Sequence, residues 1–201
     1  MAVISSELVK SLRDKTGAGM MDCKRALEES NGDMELATEN LRKKGAAVAA
    51  KRAEREANQG VVEAYIHAGG RIGAMVELNC ETDFVAKTPE FKQLAHDIAM
   101  QIAAMSPVFV SKEDVDEETL KKEIEIYKAQ AVNEGKRPEI AEKIAEGRLE
   151  KFYQEVCLLE QSFIKDSGKT IKDLLSDATG KVGEKVGVRR FHRYHLGEST
   201  K

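Results

Sequence analysis

The sequence predicts an α+β protein, with an N-terminal three-helix domain followed by a three-stranded antiparallel sheet core, packed helices and an antiparallel helical hairpin. Three observations predict it. Apolar residues recur at helical spacing in three short runs before residue 45, the period switches to two across 61–80, and a strand-like run at 186–196 needs that earlier pair as its partner. The expected boundaries are a three-helix domain at 1–45, a helical linker at 46–59, and an α+β core at 60–201 that contains a helical hairpin at 113–156. At 201 residues, 41% apolar and 33% charged, the chain can bury a real core, which excludes a disordered tail or a small disulfide scaffold.

In the first domain Leu8, Val9 and Leu12 follow a Ser5/Ser6 cap. Met20, Cys23 and Leu27 follow Gly17-Ala18-Gly19, and Met34, Ala37 and Leu41 follow Asp33 as N-cap, with Gly45 expected as the closing C′ residue. A bundle this small has a minimal core, so part of its apolar surface is available to a partner. The Ala-rich stretch 46–59, with Lys51, Arg52 and Arg55 interleaved with Glu54 and Glu56, reads as a solvated helical connector rather than a nucleic-acid arm. Val61, Glu63, Tyr65 and His67 then alternate with Val62, Ala64 and Ile66; after Ala68-Gly69-Gly70, Ile72, Ala74, Val76, Leu78 and Cys80 alternate in turn. This is a β-hairpin with one face on a core.

Past Thr88-Pro89, the stripe Phe91, Leu94, Ile98, Ile102 and Met105 predicts an amphipathic helix that can lie on the hairpin and ends at Ser106-Pro107. Leu120, Ile124, Tyr127 and Ala131, then Ala141, Ala145, Leu149, Phe152 and Val156, predict two helices turned back at Gly135 and Pro138. Ile171, Leu174 and Leu175 mark a last helix before the final strand.

Composition and motifs exclude several functions. A net charge of −3, from 32 Lys+Arg against 35 Asp+Glu, gives no global field for bulk binding of nucleic acid or membrane. The 3 cysteines, Cys23, Cys80 and Cys157, have no zinc or disulfide spacing and read as reduced thiols. No apolar run approaches the roughly 20 residues of a membrane span, and the first ten residues are too polar for a secretory signal. The expectation is a soluble protein that stays where it is made, or is imported with a leader absent here. Gly168-Lys169-Thr170 lacks the earlier glycine of a phosphate loop, Phe163 standing in its place, and Gly17-Ala18-Gly19 follows a helix rather than a strand. His67, His96, His192 and His195 have no HExxH spacing and no nucleophile at a known motif, so no enzyme is predicted.

Two apolar features fit structure less easily. Consecutive Met20 and Met21 point about 100° apart on a helix, so one of them is expected at the surface, with core filling as the alternative. Phe84 follows a turn-forming Glu81-Thr82-Asp83; it is either an anchor under its own helix or a wedge for another protein's pocket.

Residues 16–27 (TGAGMMDCKRAL) and 77–86 (ELNCETDFVA) resemble the two signature segments of the translation elongation factor Ts family, the nucleotide exchange factors of elongation factor Tu. Residues 65–67 (YIH), 71–73 (RIG), 140–153 (IAEKIAEGRLEKFY) and 188–191 (VRRF) resemble that family in the same order, so the likeness covers essentially the whole chain. It implies a ubiquitin-associated-like N-terminal domain, and a core from which the helical hairpin projects. A single core copy, with Asp83-Phe84 and His67 on one hairpin, is similar to the short form of the family, which works as a homodimer. Some short members crosslink that dimer through a cysteine where this chain has His192, so the dimer expected here is non-covalent.

The resemblance also implies the site. Phe84, with Thr82, Asp83 and Val85, would enter an apolar gap in the GTPase domain of elongation factor Tu near its Mg²⁺ and phosphates. Arg13, Met20, Met21 and Lys24 would form a second handle, and His67 a contact to another domain. An exchange factor must prefer the nucleotide-loosened state, and burying one Phe contributes roughly 1.5–3 kcal/mol, worth about one to two decades of release rate. The expected protein has no cofactor of its own: it displaces GDP and perturbs the Mg²⁺ site of its partner. Neither nucleic acid nor membrane is an expected partner, and the expected location is the bacterial cytoplasm, or a plastid stroma. A ubiquitin-associated-like adaptor that binds without accelerating nucleotide release is the alternative.

Overall fold

A computed structural model describes residues 4–198; the outermost ends of the predicted first and last domains, 1–3 and 199–201, lie outside them. The elements in chain order are α1 (Ser6–Thr16), α2 (Met20–Glu29), α3 (Met34–Arg52), β1 (Gln59–Ile66), β2 (Ile72–Cys80), α4 (Asp83–Ala86), α5 (Pro89–Met105), α6 (Glu117–Asn133), α7 (Pro138–Val156), β3 (Ser162–Phe163), β4 (Asp166–Thr170), α8 (Ile171–Val182) and β5 (Gly187–His195). The class is α+β as expected, with a three-stranded antiparallel sheet in the order β1-β2-β5. The chain forms two compact units: one takes residues 4–61, Leu78–Phe91 and Asp173–Gly187, the other Val62–Glu77, Lys92–Lys172 and 188–198.

In the first unit, Ser5 caps α1 by accepting from the Leu8 N–H, and Asp33 caps α3 by accepting from the Glu35 and Leu36 N–H groups. Gly17, at φ 68°, closes α1 by donating its N–H to the Arg13 carbonyl. Val9, Leu12, Cys23, Ala26, Leu27 and Ala37 form the buried cluster of these three helices.

One expectation is overturned here. Gly45 does not end the third helix, which continues to Arg52. A Cβ built on Gly180 of α8 would come within 2.7 Å of the Gly45 Cα, so the two glycines let the backbones of α3 and α8 approach. A glycine after a helical stripe carries the same letter whether it caps the helix or receives a neighbour.

In the second unit, His67 and Ile72 close the β1–β2 turn through a 2.8 Å N–H···O=C bond, with Gly69 and Gly70 at positive φ between them. Helix α5 lies on one face of the sheet, buries Ala95, Ile98, Ala99 and Ile102, and receives His96 Nδ1···Glu63 Oε1 at 3.1 Å and the Arg193 Nε–H on its Ala103 carbonyl. The opposite face is open: Val62, Ile66, Met75 and Tyr194 are all exposed there. Helices α6 and α7 pack along one another through Ala131, Ala141 and Ala145, all buried. Arg148 ties them by donating to Gln130 and Glu134, as Lys128 does by donating to Glu142.

The pair β3–β4 is not foreseen in the sequence. It joins antiparallel at Ser162↔Thr170 and Phe163↔Asp166, so Gly168-Lys169-Thr170 is strand rather than phosphate loop. Gln101 anchors it from α5, accepting from the Ile164 N–H and donating to the Ser162 carbonyl.

Candidate functional site

The period-two pattern ends at Cys80, and the next residues turn the chain into a helix of one turn. Glu81 points inward. Its carboxylate accepts two bonds from Arg52 Nη1, at 2.7 and 2.8 Å, and a third from the Lys185 backbone N–H at 2.7 Å, with Arg55 at 3.5 Å. The Lys185 N–H, then Arg52, hold the Glu81 carboxyl below its ordinary value. Thr82 is the N-cap of α4, and both of its donors go to a single carboxylate: its N–H to Glu184 Oε2 at 3.0 Å, its hydroxyl to Glu184 Oε1 at 2.7 Å. The Cys80 thiol donates to the Thr82 carbonyl, and burial, assisted by the Glu184 charge, pushes that thiol up.

With its start fixed in this way and Ala86 buried at its end, α4 turns Phe84 outward. The ring is 80% exposed, and Val85 beside it is half-buried. Phe84 is therefore not an anchor tucked under its own helix. Asp83 pairs with Lys87 Nζ at 2.6 Å, which keeps its carboxyl below its ordinary value. Thr88 then bridges to α5, donating to the Val85 carbonyl and accepting from the Phe91 N–H.

The same unit carries the other expected handle. Met20 is 54% and Met21 67% exposed, so both stand at the surface, one more than the sequence predicts; Cys23, Ala26 and Leu27 fill the core from α2 instead. Lys24 is exposed and lies 3.8 Å from Glu28, and Arg13 is exposed on α1. Thus Arg13, Met20, Met21 and Lys24 belong to the three-helix bundle, and Thr82, Asp83, Phe84 and Val85 to one short segment. His67 belongs to the other unit, where its Nδ1 lies 3.1 Å from the Tyr65 hydroxyl. Its ring and that of His96 flank Tyr65 at 6.1 and 5.6 Å.

Two residues that hold the segment escape sequence reading. Arg52, expected as part of a solvated face, is half-buried on Glu81, whose own carboxylate is more buried still. Glu184 is one more acid between a helix and a strand, 102 residues from the threonine it grips. No local pattern could have marked it.

Among the described residues no group of His, Cys, Asp or Glu could hold a metal ion. All three cysteines are free and buried, and burial pushes the Cys157 thiol up to about 11, leaving it protonated at neutral pH. Nor is any described helix long and apolar enough to cross a membrane.

Comparison with known proteins agrees with the resemblance. The family model described as Elongation factor TS matches residues 6–198. Proteins named Elongation factor Ts are similar over 98% of this chain: 64% identical in Carboxydothermus hydrogenoformans, covering 90% of that protein, and 62% in Moorella thermoacetica, covering 97%. The one from Caldanaerobacter subterraneus is 60% identical, with 98% of both chains covered. These relatives have nearly this chain's length, and with the family model matching almost end to end, the chain belongs to the elongation factor Ts family.

Proposed function

We propose that this chain is a guanine nucleotide exchange factor that binds elongation factor Tu and promotes GDP release, allowing GTP to reload, during translation elongation. The observation that carries the reading is Phe84: a large aromatic, four-fifths exposed, on a one-turn helix whose first residues are fixed by two carboxylates. Exposure of a single Phe is ordinary, but exposure on a held support suits a residue that buries itself only in a complex. Seated in an apolar gap beside the partner's Mg²⁺ and phosphate site, the ring would favour the loosened state and weaken the charge compensation that retains the diphosphate. Asp83, Thr82 and Val85 frame that contact. The chain itself breaks no bond and has no cofactor.

The three-helix bundle is read as ubiquitin-associated-like, and Met20, Met21, Lys24 and Arg13 as its contact with the GTPase domain. Exposed thioethers adapt to an irregular partner surface, which favours this reading of the methionines. His67 is the contact toward a second domain of the partner, and the helical hairpin α6–α7 projects from the core. The open sheet face with Val62, Ile66, Met75 and Tyr194 is the surface on which a second copy packs, giving a non-covalent homodimer in which His192 forms no crosslink. The setting is the translating cytoplasm, with neither nucleic acid nor membrane as a direct partner.

The test is nucleotide release. Elongation factor Tu is loaded with a fluorescent GDP, mixed with this chain and chased with excess GTP. An exchange factor accelerates loss of the fluorescent nucleotide at substoichiometric concentration; an adaptor binds and leaves the rate unchanged.

A further inference from the structure

We infer that Glu184 is the positioning residue of Phe84: it holds α4 in its docking orientation before any partner arrives, an inference that rests on the exchange reading above. A helix of four residues cannot hold itself, because nucleation costs more than one turn of hydrogen bonds returns. The two backbone bonds that close α4 are long, Ala86 N–H to the Thr82 carbonyl at 3.4 Å and Lys87 N–H to that of Asp83 at 3.2 Å. Its direction is therefore set at its first residue, where both donors of Thr82 end on Glu184.

Glu184 is itself fixed from both sides. Gly183 ends α8 with φ 70° and donates its N–H to the Thr179 carbonyl, while the Val186 N–H is bound by the Thr179 hydroxyl. The neighbouring residues complete a reciprocal staple: Glu184 takes the donors of Thr82, and Glu81 takes the N–H of Lys185. Arg52 then joins that staple to the end of α3, the third helix of the bundle that carries Met20 and Met21. Glu184 is half-buried and fully engaged in these bonds, so its effect on a partner passes through Phe84.

Losing the staple leaves α4 free to take other orientations, and the apparent affinity falls by the fraction of chains still competent to dock. Once Phe84 is seated its contacts are the original ones. Glu184→Ala is thus expected to raise the half-saturating concentration for stimulated GDP release about five- to tenfold, with the maximal rate within about twofold of the parent. Glu184→Gln is expected to restore it: the carboxamide oxygen accepts from the Thr82 N–H, and its NH₂ donates to the Thr82 hydroxyl. A role in general stability would leave no such split between concentration and rate. In a Phe84→Ala background, Glu184→Ala is expected to add nothing, the mark of a residue acting through another.

Hydrogen exchange on the free protein reads the same device without a partner. Amides of Ala86 and Lys87 are expected to exchange faster in Glu184→Ala and at the parental rate in Glu184→Gln, while those of α2 stay unchanged. Thr82→Val, which removes only the hydroxyl bond, is expected to give a smaller loosening in a protein with the parental fold. Unchanged amide exchange at 86–87 in both Glu184→Ala and Thr82→Val would overturn the proposal, as would a Gln variant as impaired as the Ala variant. If Phe84→Ala leaves release untouched, the exchange reading fails, and the amide-exchange contrast still decides whether Glu184 holds α4.

Discussion

Truncating Phe84 to Ala separates a contact made in the folded chain from one made only in a complex. Because the ring is 80% exposed, about one fifth of its burial is already realised, and with roughly 1.5–3 kcal/mol for a fully buried Phe the folding loss is about 0.3–0.6 kcal/mol. Alanine is also the better helix former in α4 by a few tenths of a kcal/mol, roughly up to 0.7, which offsets most of that loss. The remaining four fifths is available to a partner, about 1.2–2.4 kcal/mol, or roughly eight- to sixtyfold in rate if the contact is complete in the transition state for GDP release. The assay pairs a melting curve with stopped-flow release of fluorescent GDP on one preparation. The expected pattern is an unchanged melting temperature with release at saturating factor slowed by about eight- to sixtyfold. A melting temperature lowered by the 3–5 kcal/mol typical of a buried Phe→Ala, with parental release from the surviving folded fraction, would refute the wedge.

Met20→Ala and Lys24→Ala should each weaken binding to elongation factor Tu by about threefold to tenfold while circular dichroism shows the bundle intact, since both side chains are exposed and Cys23 and Leu27 hold the core; a molten bundle would assign Met20 to the core. Light scattering should show a dimer that takes two partner molecules. Val62→Lys on the open sheet face should give monomers of parental helicity, whereas a stable one-to-one complex of the parent chain with full activity would end the dimer reading. Gly180→Ala should destabilise the fold by about 1–3 kcal/mol in a denaturant titration, because the new methyl would press on the Gly45 backbone, not on a side chain that can move.

The elements legible in the sequence are those whose own residues carry the period. The stripe of α5 and the alternation of β1 and β2 are local signals, and burial follows them at Ile98, Ile102, Ala74 and Val76. What escapes is decided at a distance. The strand Asp166–Thr170 is polar and short, so its pairing with Ser162–Phe163 leaves no alternation to read. Gly45 is a helix-contact residue because Gly180 lies opposite it, 135 positions further on by their numbers. The candidate site divides the same way: ELNCETDFVA stands out as a segment, but whether Phe84 faces in or out depends on Glu184 and Arg52, which no local pattern connects to it.

The staple that holds α4 also sets an order on folding. Arg52 and Glu81 are 29 residues apart, Thr82 and Glu184 are 102. Closing the longer loop costs roughly 1 kcal/mol more chain entropy than closing the shorter. The Arg52 grip on Glu81 can therefore form while the chain is still emerging from the ribosome, but the Glu184 grip on Thr82 waits until synthesis has passed residue 184. A nascent chain stalled earlier has its aromatic residue in place without the carboxylate that grips Thr82.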